Sequence, residues 1–576
     1  MQLSSKGIKL FIANMSLAIL SWPHFLSFQR AIANVEKTQR DVLFRIINSN
    51  ASTSFGKQHN YNAIKSVDGF RLQVSLSMYE DYVDAISSIA SGKKNVLTAG
   101  PVLNLEPSSG STANSKFIPY TESLREEFKQ GLLPWLFDLY RSNKDMLFGS
   151  SYWAISPSSS KEFPGSKIPI GFGDDASYFG NLEQKIIAKI LAVPPIVSKI
   201  EDVDAFRYVT LLFLLRDENL SFVSIWNPTF LVLLLQSISD WMPQLLQDIK
   251  DGTLNPPSSI KIDLKNQLSK KMYPNKKRAR SIENAWGKSN FLQIVWPKLN
   301  LISCWADGHA KICIDDLKIL FPHVKIQPKG LIATEGMISF PLASKQGGVL
   351  SIKSHFFEFI EINDSDNVND KKIIKLAHEL IEGNKYSVII TTSGGLYRYQ
   401  LQDIIQVMGF EKQCPIIQFI SKESKVSDLV GEKLNEFHVS LVLHEVLNKY
   451  GVTPAFLLLA PEKNAAGAFF YCLFLELKEC EKLTEQTISS LINDVEQKLE
   501  ENYHYLHAVR LGQLLPAKLF IITENGKAST IYLNECRKGG QMLGQVKPAI
   551  LSSKSSWSNL FQCKNLGAAK KVSPHN

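Results

Sequence analysis

The sixteen residues from Glu106 to Thr121 read EPSSGSTANSKFIPYT. Ser108, Ser109 and Ser111 surround one glycine, Gly110; Thr112 follows, and Lys116 comes after three small or polar residues. A loop of this composition offers backbone N–H groups, several hydroxyl donors and one mobile cation. That set suits the oxygens of a polyphosphate, because donors and a lysine point charge share its negative charge. The stretch is not a Walker A loop, since it has no GK[ST] ending and only one glycine. On composition alone, a plain Ser/Gly-rich loop is the commoner outcome. Downstream, Phe117, Ile118 and Tyr120 predict a short strand, and Thr121 can cap a helix. Leu124, Phe128, Leu132, Trp135, Leu136 and Leu139 then recur at helical spacing.

At 576 residues the chain is too long for one small core, so two or more domains are expected. Apolar content of 44% and charged content of 21% describe an ordinary globular protein. The net charge is +9, but acids and bases are mixed throughout. The densest basic run (Lys276, Lys277, Arg278, Arg280) reads as a solvated helix face, and nucleic-acid binding has no motif behind it. Cys304, Cys313, Cys414, Cys472, Cys480, Cys536 and Cys563 are scattered and never spaced as CxxC. That pattern points to a reducing compartment, hence a cytoplasmic protein, and away from zinc or a disulfide framework. The apolar run from Ile8 to Trp22 is interrupted by Lys9 and Asn14, which predicts an amphipathic helix packed on the first domain. Phe222 to Ile238 is broken by Asn227-Pro228. No transmembrane segment is expected.

In chain order, periodicity predicts one helix over residues 28–50 and, after Asn227 as cap and Pro228 as first residue, a buried helix. From 299 to 328 the pattern runs strand, helix, strand, which suggests parallel strands in an α/β sheet. ATEG (333–336) follows, where open α/β sheets place ligands. Glu335 is the only acid between Asp316 and Glu358; without further context it reads as a surface acid. SHFFEFIEI (354–362) alternates like a half-buried strand, and His355 reads as a satisfied strand histidine. Ser387 to Thr392 predict a strand, Ser393 to Gly395 a turn, and Leu396 to Tyr399 a resumed strand, with Asp403 ending a polar bend. The rest is a small α+β unit: helices at 433–447 and 484–499, strands at 455–459, 469–477 and 518–522, and a loose polar tail after Trp557. GQMLGQVKPAI (540–550) holds a lone lysine, Lys547, in a Gly-rich loop.

Several of these motifs, in order along nearly the whole chain, resemble the auxin-responsive acyl-amido synthetase family. These are plant hormone–amino acid conjugating enzymes and their bacterial-type relatives, within the adenylate-forming superfamily that includes firefly luciferase. The resemblance rests on the Ser/Gly/Lys loop, on WNPTFL (226–231), on ATEG, on the strand–turn–strand ending in Asp403, on VSDLVGEKLNE (426–436) and on GQVKP. The family's loop has a glycine where this chain has Ala113, and a tyrosine where it has Leu331. Its Y-R-[LV]-G-D segment is Tyr399-Gln400-Leu401-Gln402-Asp403 here, and Ser424 stands where the common bacterial-type members carry the acid of the hinge.

The resemblance implies an α/β fold. A large adenylate-forming domain with mixed sheets spans residues 1–420, and a small mobile α+β lid spans 421–576. It implies an ATP-dependent ligase that activates a carboxylic acid as acyl-AMP and passes the acyl group to an amine, commonly an amino acid. Transfer to coenzyme A or another thiol, and a non-catalytic binding role, stay open. ATP and Mg²⁺ are the implied cofactors. Lys116 and Lys547 are the implied catalytic residues. Ser108, Ser109, Gly110, Ser111, Thr112, Thr334, Glu335, Gly336, Tyr399 and Asp403 are the implied nucleotide contacts, with Glu335 at the metal and Asp403 on the ribose diol. The expected partners are small-molecule acid and amino acid substrates. The acid, the amine and the oligomeric state are not legible.

Overall fold

The computed structural model describes residues 5–108, 116–153, 163, 165–171, 179–306, 311–362, 373–423, 426–464, 467–478, 483–523, 526–538, 546 and 549–568. Apart from two short pieces, residues 1–419 form one compact unit and residues 420–576 a second.

The first unit opens with the helix Ser5–Ala31, whose inner side buries Leu10, Leu17, Phe25 and Phe28. Asn14, in the middle of the apolar run, is buried. Its amide donates to the carbonyls of Met146, Leu147 and Gly149 at 2.9–3.1 Å, and it accepts from the Tyr140 hydroxyl at 2.9 Å. This helix is long and apolar enough to cross a membrane by length and composition; its polar fastening is to the unit itself. The single helix predicted over 28–50 is two. The chain breaks before Asn34, whose side chain accepts from the Lys37 N–H at 3.0 Å and starts a new helix, Val35–Ser49. The capping side chain competes with helix continuation at that point.

Strands β1 (Val102–Ser108) and β2 (Lys116–Thr121) form an antiparallel hairpin. Thr121 Oγ1 accepts from the Leu124 N–H at 3.1 Å and caps the helix Glu122–Ser142, whose predicted apolar stripe is buried. A parallel sheet follows in the order β3 (Ser150–Trp153), β4 (Leu220–Ser224), β5 (Leu301–Cys304), β6 (Lys325–Pro328). Asn227 caps the helix Pro228–Asp251 as its sequence predicts. The tight hairpin β7 (Ile332–Ala333) and β8 (Gly336–Met337) leads to a seven-stranded sheet. That sheet contains β9 (Ser339–Pro341), β10 (Gly348–Leu350), β11 (Phe356–Ile362), β12 (Ile374–Leu376), β13 (Lys385–Thr391), β14 (Tyr399–Glu411) and β15 (Cys414–Lys422). The strand expected to be half-buried, β11, is buried from Phe356 to Ile360. Its polar member Glu358 is met inside by Arg71 and Arg398 at 2.8–3.0 Å.

In the second unit, β16 (Val426–Ser427) pairs with β17 (Leu434–Asn435). The main sheet runs β18 (Pro454–Lys463), β19 (Phe469–Leu477), β20 (Leu514–Ile522), β21 (Cys563–Ala568). The helices Glu436–Lys449 and Glu485–Leu499 bury Val442, Leu443, Leu491 and Ile492 in the same core as Leu457, Leu473 and Leu475 of the sheet. The tail is not loose as its composition suggests. Trp557 and Phe561 pack against Phe456 and Phe474, and Cys563 to Ala568 pair with β20.

Glu496 is buried in this unit, its carboxylate accepting from the Tyr505 hydroxyl at 2.9 Å and the Ala517 N–H at 2.8 Å. Burial outweighs those bonds and pushes its pKa from 4.5 up to about 7. Between those two values the folded state holds more proton than the unfolded chain, so stability falls as pH rises through that window and levels off above it. Glu496→Gln should flatten the dependence and stabilise the unit at pH 8 by on the order of 1–3 kcal/mol. Thermal unfolding of both proteins from pH 4.5 to pH 8 checks this; parallel curves would refute it.

Candidate active site

The hairpin sets the first part of the site. Ser108 and Lys116 are direct cross-strand partners. Ser109, Gly110, Ser111 and Thr112 lie between them, outside the described residues, and Lys547 also lies outside. The Lys116 ammonium sits 5.6 Å from the centre of the Tyr79 ring. Tyr79 opens the short 3₁₀ turn Tyr79–Tyr82, and its hydroxyl accepts from the Phe117 N–H at 2.8 Å. Tyr79 therefore fixes the base of the hairpin on one side and meets its lysine on the other. Nothing in its local sequence marks it for that position.

Thr334 and Glu335 form the two-residue turn between β7 and β8, with Ala333 opposite Gly336. Glu335 is only 8% exposed, so it is not the surface acid that an isolated reading suggests. Among the described residues it makes no hydrogen bond or ion pair. It acts at short range on two phenols. The Tyr79 pKa is raised, chiefly by burial, with the charges of Glu80 and Glu335 adding to it and the Phe117 N–H opposing. The Tyr399 pKa is raised by burial first and by Glu335 next. Lys116, Tyr79, Glu335 and Tyr399 therefore share one neighbourhood.

What holds the acid turn is underneath it. A Cβ on Gly336 would lie 2.8 Å from His355 Nε2, so only glycine lets the turn settle on that ring. His355 Nε2 accepts from the Met337 N–H at 2.9 Å; its Nδ1 therefore carries the proton and donates to Glu127 Oε2 at 3.0 Å. The same carboxylate accepts from the Ser393 N–H at 2.9 Å and the Ser393 hydroxyl at 2.6 Å, and pairs with Arg45 at 3.2 Å. His355 is thus a satisfied histidine, as its place in a strand predicts. Glu127 was not singled out. The available signal was an acid three residues after Leu124, on the apolar face of a predicted helix.

The Ser393–Gly395 turn packs on the other flank. A Cβ on Gly394 would meet Leu124 Cδ2 at 2.7 Å, which seats the turn against the start of the helix Glu122–Ser142. Tyr399 begins β14 and is buried. Asp403, four residues along, is also buried and sits on a bulge. Ile389 pairs with Gln400 and Ser387 with Ile404, so three residues of β14 face one of β13. Bulges re-aim side chains beside active sites. Among the described residues no group of three or more His, Cys, Asp or Glu side chains is arranged to hold a metal, so Glu335 stands as a single carboxylate.

An α/β unit with this hairpin, acid turn and bulged strand has the fold of an acyl acid amido synthetase. It matches the solved GH3.15 acyl acid amido synthetase over 95% of this chain and 96% of that one, with a TM-score of 0.78 at 18% identity. The chain belongs to the GH3 family: residues 26–326 match the GH3 family N-terminal domain and residues 348–422 the GH3 family central domain. It is 23% identical to indole-3-acetic acid-amido synthetase GH3.17 of Arabidopsis thaliana, covering 88% of this chain and 92% of that enzyme. It is 24% identical to jasmonoyl–L-amino acid synthetase GH3.5 of Oryza sativa subsp. japonica, covering 73% and 76%.

The Glu127 carboxylate is buried and joins three segments. Glu127→Ala should cost about 3–5 kcal/mol, the scale of breaking a buried ion pair on one side. A denaturant unfolding midpoint close to that of the parent chain would show that the network is not structural.

Proposed function

We propose that the chain is an ATP-dependent acyl-acid amido synthetase. A carboxylic acid and ATP give acyl-AMP and pyrophosphate; the acyl group then passes to an amine, commonly an amino acid, as an amide. The observation that carries this reading is the gathering of Lys116, Glu335 and Tyr399 around Tyr79 at the base of the Ser/Lys hairpin. Membership of the family, with relatives named for conjugating indole-3-acetic acid or jasmonate, supports it.

ATP and Mg²⁺ fit the donor set. Glu335 is a buried carboxylate with no cation of its own among the described residues, and Mg²⁺ is commonly held by one or two carboxylates plus substrate phosphates. When bound, the ion supplies charge neutralisation at the phosphates. Lys116 and the hydroxyls of Ser108, Ser109, Ser111 and Thr112, with the Gly110 backbone, hold the triphosphate. Thr334, Gly336 and Tyr399 line the nucleotide, and the Asp403 carboxylate accepts from the ribose diol. The protein's work is positioning and electrostatics. Residues 1–420 serve as the adenylating domain and 421–576 as the lid that carries Lys547, which meets the charge growing on the α-phosphate. Cys304, Cys414 and Cys472 are buried and in no disulfide among the described residues, which supports a cytoplasmic setting. The protein works without nucleic acid and without a membrane span.

ATP–pyrophosphate exchange over a panel of carboxylic acids tests the reading, and mass spectrometry of products made with amino acids or coenzyme A identifies the acceptor. Exchange with no acid in the panel would remove it. Lys116→Ala should cost exchange about 2–4 kcal/mol in kcat/KM, the scale of one lost transition-state contact; unchanged kinetics would clear Lys116 of the role. Lys547→Ala should slow acyl-AMP formation much more than amide formation from supplied acyl-AMP. Lys554→Ala, whose ammonium is held by Glu535 at 2.6 Å, should do little to either. An equal fall in both half-reactions for Lys547→Ala would assign it another part.

A further inference from the structure

The outer side of the helix Ser5–Ala31 is apolar along its length, and none of the roles above uses it. Ile8, Ile12, Met15, Ile19, Trp22 and Leu26 follow one another at alternating steps of four and three residues. Residues so spaced form a single stripe, about 27 Å long at the rise of an α-helix. Ile12 and Ile19 are each 59% exposed, Trp22 51% and Ile8 47%, whereas Leu17 and Phe28 on the inner side are fully buried. Single exposed apolar residues are ordinary; an unbroken row of them marks a surface that meets something other than water.

The charges around the stripe decide what that is. No acidic residue lies between Ser5 and Ala31. Lys9 and Arg30 are exposed, follow one flank of the stripe at its two ends, and make no ion pair among the described residues. Lys6 is held by Asp217 at 2.8 Å. Lys412, also exposed, brings another ammonium to the far end, where it donates to the Gln29 carbonyl at 3.1 Å. A second copy of this helix suits the spacing but not the charge. Whether the two helices run parallel or antiparallel, basic ends meet basic ends, and Ser16 and Pro23 on the same flank offer no acid to answer them. An anionic lipid surface answers both features. Acyl chains take the stripe, Trp22 suits headgroup depth, and the headgroups take the cations. The fastening of the helix requires it to lie flat. Asn14 is committed to the carbonyls of Met146, Leu147 and Gly149 and to the Tyr140 hydroxyl, and Phe25 packs on Phe137 at 5.0 Å. Crossing a bilayer would strip these contacts; docking by the outer side strips none.

We propose that the helix Ser5–Ala31 docks the protein peripherally on a membrane surface rich in anionic lipid, with the stripe inserted at the boundary of headgroups and acyl chains. The proposal is independent of the amido-synthetase reading. Flotation of the full chain with vesicles tests it, using mixed phosphatidylcholine–phosphatidylserine against phosphatidylcholine alone, at low and high salt. The chain should float with the mixed vesicles, roughly 10-fold less with the neutral ones, and less as salt rises. Ile12→Gln combined with Ile19→Gln should weaken binding by about 10-fold or more with no fall in melting temperature, since both side chains are exposed in the fold. Lys9→Gln combined with Arg30→Gln should weaken binding on the order of 10-fold on mixed vesicles and leave neutral ones unchanged. Alkaline carbonate should release the bound protein. No flotation with mixed vesicles, equal binding to both kinds, or binding indifferent to the isoleucine pair would overturn the proposal. So would retention through carbonate, which means a span, or a lipid-free dimer in sedimentation velocity that the isoleucine pair abolishes, which means a second copy.

Discussion

The buried carboxylate of Glu127 is the interaction on which the candidate site depends. One oxygen takes Arg45 and the Ser393 hydroxyl; the other takes His355 and the Ser393 N–H. Through these bonds the helix behind the hairpin, the turn before Tyr399 and the ring beneath the acid turn become one rigid body. A carboxylate in such a place is tolerable only if its lone pairs are met, because an ion removed from water loses more than a single partner returns. Here both oxygens are engaged, so the network constrains three segments at once, and a shift in any of them leaves a buried charge underserved.

A second buried acid extends the same logic outward. Glu358 on β11 receives Arg71 from the early part of the chain and Arg398 from just before β14. Arg398 also donates to the carbonyls of Arg71 and Val74, while the Ser77 N–H donates to the Arg398 carbonyl and the Gln400 N–H to the Ser77 carbonyl. The segment holding Tyr79 is therefore stitched to the strand holding Tyr399. That stitching brings a phenol to Lys116 from a stretch with no motif. The two acids together explain why loops far apart in sequence meet at one edge: each loop is anchored one or two residues away from the side chain it presents.

Much of the scaffold was legible in the sequence, because its signals are local. Thr121 capping a periodic helix, Asn227-Pro228 opening another, and the strand–helix–strand run ending in Pro328 all appear as read. The cap at Asn34 is equally local, but the apolar spacing that runs on past it hides the break. The last strand was not readable. Cys563 to Ala568 contain no β-branched residue, and pairing with β20, beside the Trp557 and Phe561 anchors, supplies what propensity lacks. The Glu127 network was illegible for a different reason. His355 is 228 positions away from Glu127 and Ser393 is 266, and no period or spacing reports a convergence of that range. The Ser/Lys loop is legible from its own donors, and the roles of ATEG and Asp403 only from the family resemblance; Tyr79, which the resemblance does not mark, is legible only in the fold.

The departures from the family pattern acquire a physical meaning at β14. Gln402 stands where the pattern has glycine, and its φ is +58°, in the left-handed region that glycine occupies at little cost. Arg398, three residues past the Ser393–Gly395 turn, is also left-handed at +51°. A residue with a Cβ pays about 1–2 kcal/mol for that conformation, and it persists only where its surroundings impose it. The surroundings here are explicit: Arg398 is clamped by Glu358, and Gln402 lies inside a bulge fixed by the pairs on either side of it. The bulge is thus kept without the glycine that makes it easy. The aim of Asp403 is set by strand pairing and not by the identity of residue 402. Leu331 is read the same way. It is buried in the core and its N–H donates to Ser339 Oγ at 2.9 Å, so the aliphatic side chain is accommodated by packing at that turn. The strain at Gln402 falls in the one bulge that carries an aspartate, in a sheet whose other described pairs are regular, and the pairing on either side of it is what holds it there.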